Sequence, residues 1–162
     1  EVDYIILDMG AGLSAETLPL LLASDEIFLI TTPEPTSITD AYAVLKILSH
    51  QGVDGEIKLI VNRCTHGIEG LKTAQRIQSA AKRFLNQDIY YLGHLIQDQA
   101  VTQAVLRQQP FFSLYPHSKV SQSIRLMAAQ YLKRPQLGEK RGKGGLGGLL
   151  KRWIGPWKRP FR

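Results

Sequence analysis

Short apolar, β-branched runs alternate along the chain with longer stretches in which apolar residues recur every three or four positions, the pattern of βαβ units around a parallel sheet. Four runs read as strands: Val2–Leu7, Glu26–Thr31, Ile57–Val61 and Ile89–Leu95. Each is mostly apolar, as a strand covered on both faces must be. The stretches between and after them predict helices over Ser14–Leu22, Ser37–Ser49, Ile68–Leu85, Gln99–Gln108 and Lys119–Leu132. Ser14, Ser37 and Ser118 are placed to cap three of these helices, because a hydroxyl oxygen there accepts from an unpaired backbone N–H of the first turn. Ser37 and Asp40 have the spacing of a capping box, and Pro33 and Pro35 hold the loop before them extended. The expected fold is α/β, a parallel sheet with helices on both faces.

Composition bounds this picture. At 162 residues, 44% hydrophobic and 21% charged, the chain has the make-up of one globular domain and not of a disordered or low-complexity segment. No apolar run approaches the roughly 20 residues that cross a bilayer. Cys64 is the only cysteine, which excludes an internal disulfide and a cysteine-based zinc cluster and makes a reducing cytoplasm the simplest expectation. His50, His66, His94 and His117 are scattered without metal-ligand spacing.

Charge divides the chain sharply. Through Leu132 there are 10 basic residues against 13 acidic ones, and beyond it 10 against 1, so the net +6 belongs to a tail. After Pro135 the run Glu139-Lys140-Arg141-Gly142-Lys143-Gly144-Gly145 has the composition of a basic linker. The expected organisation is an α/β domain over 1–132, a linker over 133–145 and an amphipathic helix over 146–162. The first residue is Glu1 and the chain is strand-like from Val2, so the sheet is expected to be incomplete at its N-terminus and to belong to something longer.

In the tail Leu146, Leu149, Leu150, Trp153, Ile154 and Trp157 fall on one helical stripe, while Lys151, Arg152, Lys158 and Arg159 lie opposite. That is the layout of a helix lying in a lipid interface, where Trp favours the headgroup boundary and each Lys or Arg near an anionic surface contributes about 1 kcal/mol. Pro156 is expected to kink or stop the helix, and so short a helix should form on meeting lipid. A solvated basic tail, or one that binds nucleic acid through its charge, is the alternative, but phosphate binding has no use for the apolar stripe.

Chemistry is sought first at Tyr4-Ile5-Ile6-Leu7-Asp8-Met9-Gly10-Ala11-Gly12-Leu13-Ser14. The C-terminal ends of parallel strands face the ligand crevice, so Asp8 would stand where a phosphate-bound Mg²⁺ sits, with Gly10 and Gly12 letting backbone approach a terminal phosphate. This is a Walker B arrangement. A strand cap followed by a glycine turn reads the same residues equally well. Nucleophilic readings fail: Gly10-Ala11-Gly12-Leu13-Ser14 lacks the G-x-S-x-G elbow, and a half-buried thiol such as Cys64 is normally inert.

Asp8-Met9-Gly10-Ala11-Gly12-Leu13-Ser14, followed by Thr31-Thr32-Pro33-Glu34-Pro35-Thr36-Ser37-Ile38-Thr39-Asp40-Ala41-Tyr42, closely resembles the MinD/ParA group of deviant Walker (P-loop) ATPases, and within it the FlhG branch. The resemblance continues through Ile60-Val61-Asn62-Arg63, Ala81–Leu85, Tyr91–Asp98 and Gln108–Pro116, covering about residues 1 to 132. Ile96 departs from it, standing where the group usually has a proline. The resemblance implies that Asp8 organises Mg²⁺, that Gly10, Ala11 and Gly12 sense the terminal phosphate of ATP, and that Asn62 and Arg63 hold the adenine. An amide can indeed pair with both N6–H and N7 of adenine, although Asn at a strand end is also an ordinary turn residue. It further implies a homodimer in the ATP state, reversible attachment through the tail to the anionic inner face of the cell membrane, and a role in flagellar number and placement. Partners by resemblance are the FlhF GTPase and flagellar switch-complex proteins.

The group also carries a Lys-Gly-Gly-x-Gly-Lys-Ser/Thr loop that these residues do not contain. Lys143-Gly144-Gly145-Leu146-Gly147-Gly148 lacks the second Lys and the hydroxyl, and no apolar strand precedes it. The 162 residues alone are therefore not expected to hydrolyse ATP. A non-enzymatic membrane adaptor, or a ParA-like partitioning ATPase with a DNA-binding tail, are the competing expectations.

Overall fold

A computed structural model of the chain describes residues 2–10, 12, 14, 16–53 and 55–133. Ala11 and the predicted membrane helix over 146–162 lie outside the described residues, as does all but the first residue of the linker.

Three parallel strands form one sheet in the order β1 (Glu26–Thr31), β2 (Glu56–Cys64), β3 (Tyr90–Ile96) among the described residues. The helices are α1 (Thr17–Ala23), α2 (Pro35–His50), α3 (Gly67–Leu85), α4 (Gln99–Leu106), α5 (Phe111–Leu114) and α6 (Lys119–Lys133). The α/β expectation holds, with each sequence-derived helix and three of the four strands close to place. The single-turn α5 was not expected, since four residues are too few to show a helical period.

The fourth expected strand, Val2–Leu7, is irregular and exposed. β propensity reflects packing and pairing more than backbone preference, and no described strand pairs with this run. The capping expectations divide. Ser14 and Thr17 cap each other's backbone, Thr17 N–H donating to Ser14 Oγ at 3.2 Å and Ser14 N–H to Thr17 Oγ1 at 2.9 Å. Ser118 Oγ accepts from Ser121 N–H at 3.3 Å, as a cap of α6. Ser37 caps nothing, because α2 starts earlier: Pro35, with its fixed φ and missing N–H, suits a first helical position. Ser37 Oγ instead reaches back to accept from Thr32 N–H at 3.0 Å and to bond Thr31 Oγ1 at 3.0 Å, tying the loop to the helix it starts.

Strand alternation sorts the residues between two faces. On one, Ile27, Leu29 and Thr31 pair in register with Ile57, Leu59 and Val61, and meet Ala41, Leu45 and Leu48 of α2 and Ala74, Ile77 and Ala81 of α3. On the other, α6 crosses β3 with Met127 against Gly93, where an added Cβ would come within 2.6 Å of Met127 Sδ. Beside β1 this second face is open: Phe28 is 45% and Ile30 62% exposed, and no described strand pairs with the far edge of β1. Helices therefore lie on both faces, with the second covered only in part.

Candidate functional site

The C-terminal ends of β1, β2 and β3 lie side by side, and each is followed by the N-terminus of a helix, α2, α3 and α4 respectively. Three helix starts thus gather along one edge of the sheet, the edge at which parallel α/β sheets bind ligands.

At the end of β1 the Thr31–Ser37 knot fixes the path of Thr32-Pro33-Glu34. Glu34 Oε1 lies 3.6 Å from Arg63 Nη1, linking this loop to β2. Arg63 has a left-handed backbone, φ 57°, at a register shift between Val61 and Cys64. A non-glycine residue adopts that conformation at a cost, and the strain sits where the strand must turn its end outward. Asn62 Oδ1 accepts the Arg63 N–H at 2.8 Å, which supports the turn and uses one of the two lone pairs on that oxygen. The second lone pair and the amide N–H groups are the chemistry an adenine edge requires. Asn62 and Arg63, which the family resemblance marks for the adenine, stand on one short bulge with Glu34 beside them.

The end of β3 is held by backbone and by one carboxylate. Gln97 N–H donates to Cys64 O at 2.8 Å. Asp98 Oδ1 accepts from Ala100 N–H at 2.9 Å to cap α4, and Oδ2 lies 3.4 Å from Val120 N in the first turn of α6. Between these ends α3 starts on a reciprocal cap: Glu69 N–H donates to His66 Nδ1 at 3.1 Å, while Thr65 N–H and Thr65 Oγ1 donate to Glu69 Oε2 at 2.6 and 2.7 Å. Those two hydrogen bonds lower the Glu69 pKa. The Cys64 thiol beneath is fully buried, and burial, with the Glu69 carboxylate adding to it, pushes its pKa up to about 11. That is an inert thiol, not a nucleophile.

Asp8, Gly10 and Gly12 lie in the irregular exposed segment before α1 and not on a strand end. Gly12 has φ +82°, a backbone that L side chains rarely adopt. The structure therefore brings together Glu34, Asn62 and Arg63, and leaves the Asp8 segment outside the sheet. Sequence reasoning passed over Glu34 and Asp98 as functional positions. Their signals were present, a carboxylate between two prolines and an Asp directly before a helical period.

ATP and Mg²⁺ can be tested against this arrangement. The base side fits, with a donor and acceptor amide at Asn62 and a guanidinium at Arg63. The phosphate side needs donors beyond the described residues, because the described sheet edge presents no glycine loop that could wrap a triphosphate.

No family model matches the chain. It is 34% identical over 155 residues to the flagellum site-determining protein YlxH of Helicobacter pylori, an alignment covering 94% of this chain and 52% of that protein. It is 28% identical over 141 residues to the antiactivator FleN of Pseudomonas aeruginosa, covering 87% of this chain and 50% of FleN. Among solved structures, the MinC:MinD cell division complex of Aquifex aeolicus aligns with a TM-score of 0.52 and 22% identity over 69% of this chain and 44% of the other. The chain spans about half the length of the curated relatives it matches. The fold is that of the MinD class of α/β proteins. Within that class the chain is a FlhG-like member of the MinD/ParA family.

Proposed function

We propose that the chain is the base-binding and membrane-binding part of an ATP-dependent regulator of flagellar number and placement. The observation that carries this reading is the identity to a flagellum site-determining protein along nearly the whole chain. The geometry supports it: a bulge presenting Asn62 and Arg63 stands at a sheet edge faced by three helix N-termini.

In this reading Asn62 hydrogen-bonds the adenine edge and Arg63, steadied by Glu34, covers it. Asp8, which lies outside the described sheet, would hold Mg²⁺, most simply through bound water, and Gly10, Ala11 and Gly12 would offer backbone N–H groups to the terminal phosphate. Mg²⁺, when bound, neutralises the developing charge on the phosphates. A phosphate-binding loop of the Lys-Gly-Gly-x-Gly-Lys-Ser/Thr type must be supplied by residues other than these. With it, ATP joins two copies into a homodimer. Each copy then presents one tail, and two weak lipid contacts reinforce each other through effective concentration. Leu146, Leu149, Leu150, Trp153, Ile154 and Trp157 enter the anionic inner leaflet while Lys151, Arg152, Lys158 and Arg159 stay at its headgroups. The protein is then cytoplasmic and peripheral on the inner face of the cell membrane, where the FlhF GTPase and the switch complex become its partners.

Two measurements test the reading. The chain should sediment with anionic vesicles and not with neutral ones, and Trp153→Glu with Leu150→Glu should abolish that; unchanged binding sinks the membrane role. Joined to residues that supply the phosphate loop, the chain should hydrolyse ATP in a manner lost in Asp8→Ala. Vesicle binding without any nucleotide affinity in that form would instead favour a membrane adaptor.

A further inference from the structure

At the end of the sheet opposite the candidate site, Lys58 is buried, 2% exposed, with its ammonium 2.8 Å from Glu26 Oε2 and 2.8 Å from Glu56 Oε2. Glu26 and Glu56 are register partners on β1 and β2, so one lysine fastens both strands. A third element enters from 105 positions away: Tyr131 of α6 donates its hydroxyl to Glu26 Oε2 at 2.7 Å. Its ring lies 5.2 Å from the Lys58 ammonium, 5.5 Å edge-on from Phe28 and 6.4 Å from Tyr4. Elsewhere α6 rests on β3, through Met127 on Gly93 and Gln130 on Tyr90. Tyr131 carries its last turn across the sheet to β1.

The placement of the two ends matters. Tyr4 precedes Asp8 by four positions, and Tyr131 precedes Lys133, the last residue of α6, by two. Lys133 leads directly into the linker and the basic apolar tail. We propose that Tyr131 is a latch coupling the Asp8-bearing segment to the root of the C-terminal tail. A shift of that segment takes Tyr4 off the Tyr131 ring, the ring turns, the bond to Glu26 breaks, and the last turn of α6 is released with the tail it carries. By linkage, pulling on the tail loosens the Asp8 segment equally. The Lys58–Glu26–Glu56 cluster is the fixed strike plate, since its three members belong to neighbouring strands whose register cannot slip without exposing the core face. The use of this latch by nucleotide and membrane rests on the function proposed above, but the coupling itself does not.

Hydrogen exchange on the full chain, without nucleotide or lipid, tests it. Tyr131→Phe removes only the hydroxyl and should speed exchange in the last turn of α6 by about tenfold. Tyr4→Ala, at a distant point in the sequence, should speed the same amides by about threefold or more while α3 is unchanged. An α6 last turn indifferent to Tyr4→Ala overturns the latch. If α3 also loosens, Tyr4→Phe, which keeps the ring, must restore the parent pattern, and failure to do so overturns it equally. Either negative result leaves the nucleotide and membrane readings standing.

Discussion

Replacing Lys58 with methionine keeps the volume of a buried side chain and removes its charge. In the parent the ammonium stands between two carboxylates, each 2.8 Å away, whose side chains are 17% and 24% exposed. Without it Glu26 and Glu56 face each other from register-paired positions on strands about 5 Å apart. Two like charges at about 5 Å and an effective dielectric constant of about 20 repel by about 3 kcal/mol. Stranding a charge in a buried pair typically costs about 3–5 kcal/mol. The methionine returns at most about 1 kcal/mol through its extra apolar surface. Tyr131 still donates to Glu26, so the net loss should be about 3 kcal/mol. Equilibrium urea unfolding followed by far-UV circular dichroism measures it. Glu26→Gln and Glu56→Gln added to Lys58→Met should recover most of the loss, because a fully neutral cluster carries no uncompensated charge. A Lys58→Met chain within about 0.5 kcal/mol of the parent, or a triple variant no more stable than Lys58→Met alone, would refute this account of the cluster.

Gly70→Ala should destabilise by about 1–2 kcal/mol in the same assay: its Cβ would fall 2.6 Å from His94 Cβ and 3.1 Å from Cys64 Sγ, and this overpacking outweighs the roughly 1 kcal/mol helix preference of Ala over Gly. A more stable variant would mean that α3 moves off β3 freely. The Cys64 thiol should resist a soluble disulfide reagent until the chain unfolds; since its folded pKa is raised, the unfolded chain ionises first and stability should decline from about pH 9 to about pH 11. A Cys64→Ala chain should lose that decline. Glu69 works in the opposite sense: its pKa is lowered by the two Thr65 hydrogen bonds, so its contribution is present above the ordinary carboxylate range and lost as pH falls through the lowered value. Protection of the first turn of α3, followed by NMR, should fade over that acidic window, and Glu69→Gln should show the weakened protection at neutral pH without that fade.

Periodicity alone determined the α/β class, because the spacing of Leu45 and Leu48 or of Ile77 and Ala81 commits a helix face while Ile57, Leu59 and Val61 commit a strand face. Asn62 and Arg63 were marked by family resemblance, since an Asn at a strand end is by itself an ordinary turn residue, and the side-chain bond and left-handed backbone found there are local events that two adjacent residues can settle. Pairing is not local. Val2–Leu7 has strand composition in full, yet composition supplies no neighbour, and without one the segment that bears Asp8 stays outside the sheet. Ser37 shows the same limit on a smaller scale, since its hydroxyl found Thr31 and Thr32 once Pro35 had begun the helix. Lys58 is the clearest case. Along the sequence it interrupts an apolar strand, and only the register of β1 on β2 with α6 folded across them brings Glu26, Glu56 and Tyr131 to its ammonium. Local rules act within one turn or one strand; a buried charge needs partners from distant segments, and tertiary structure decides which ones arrive.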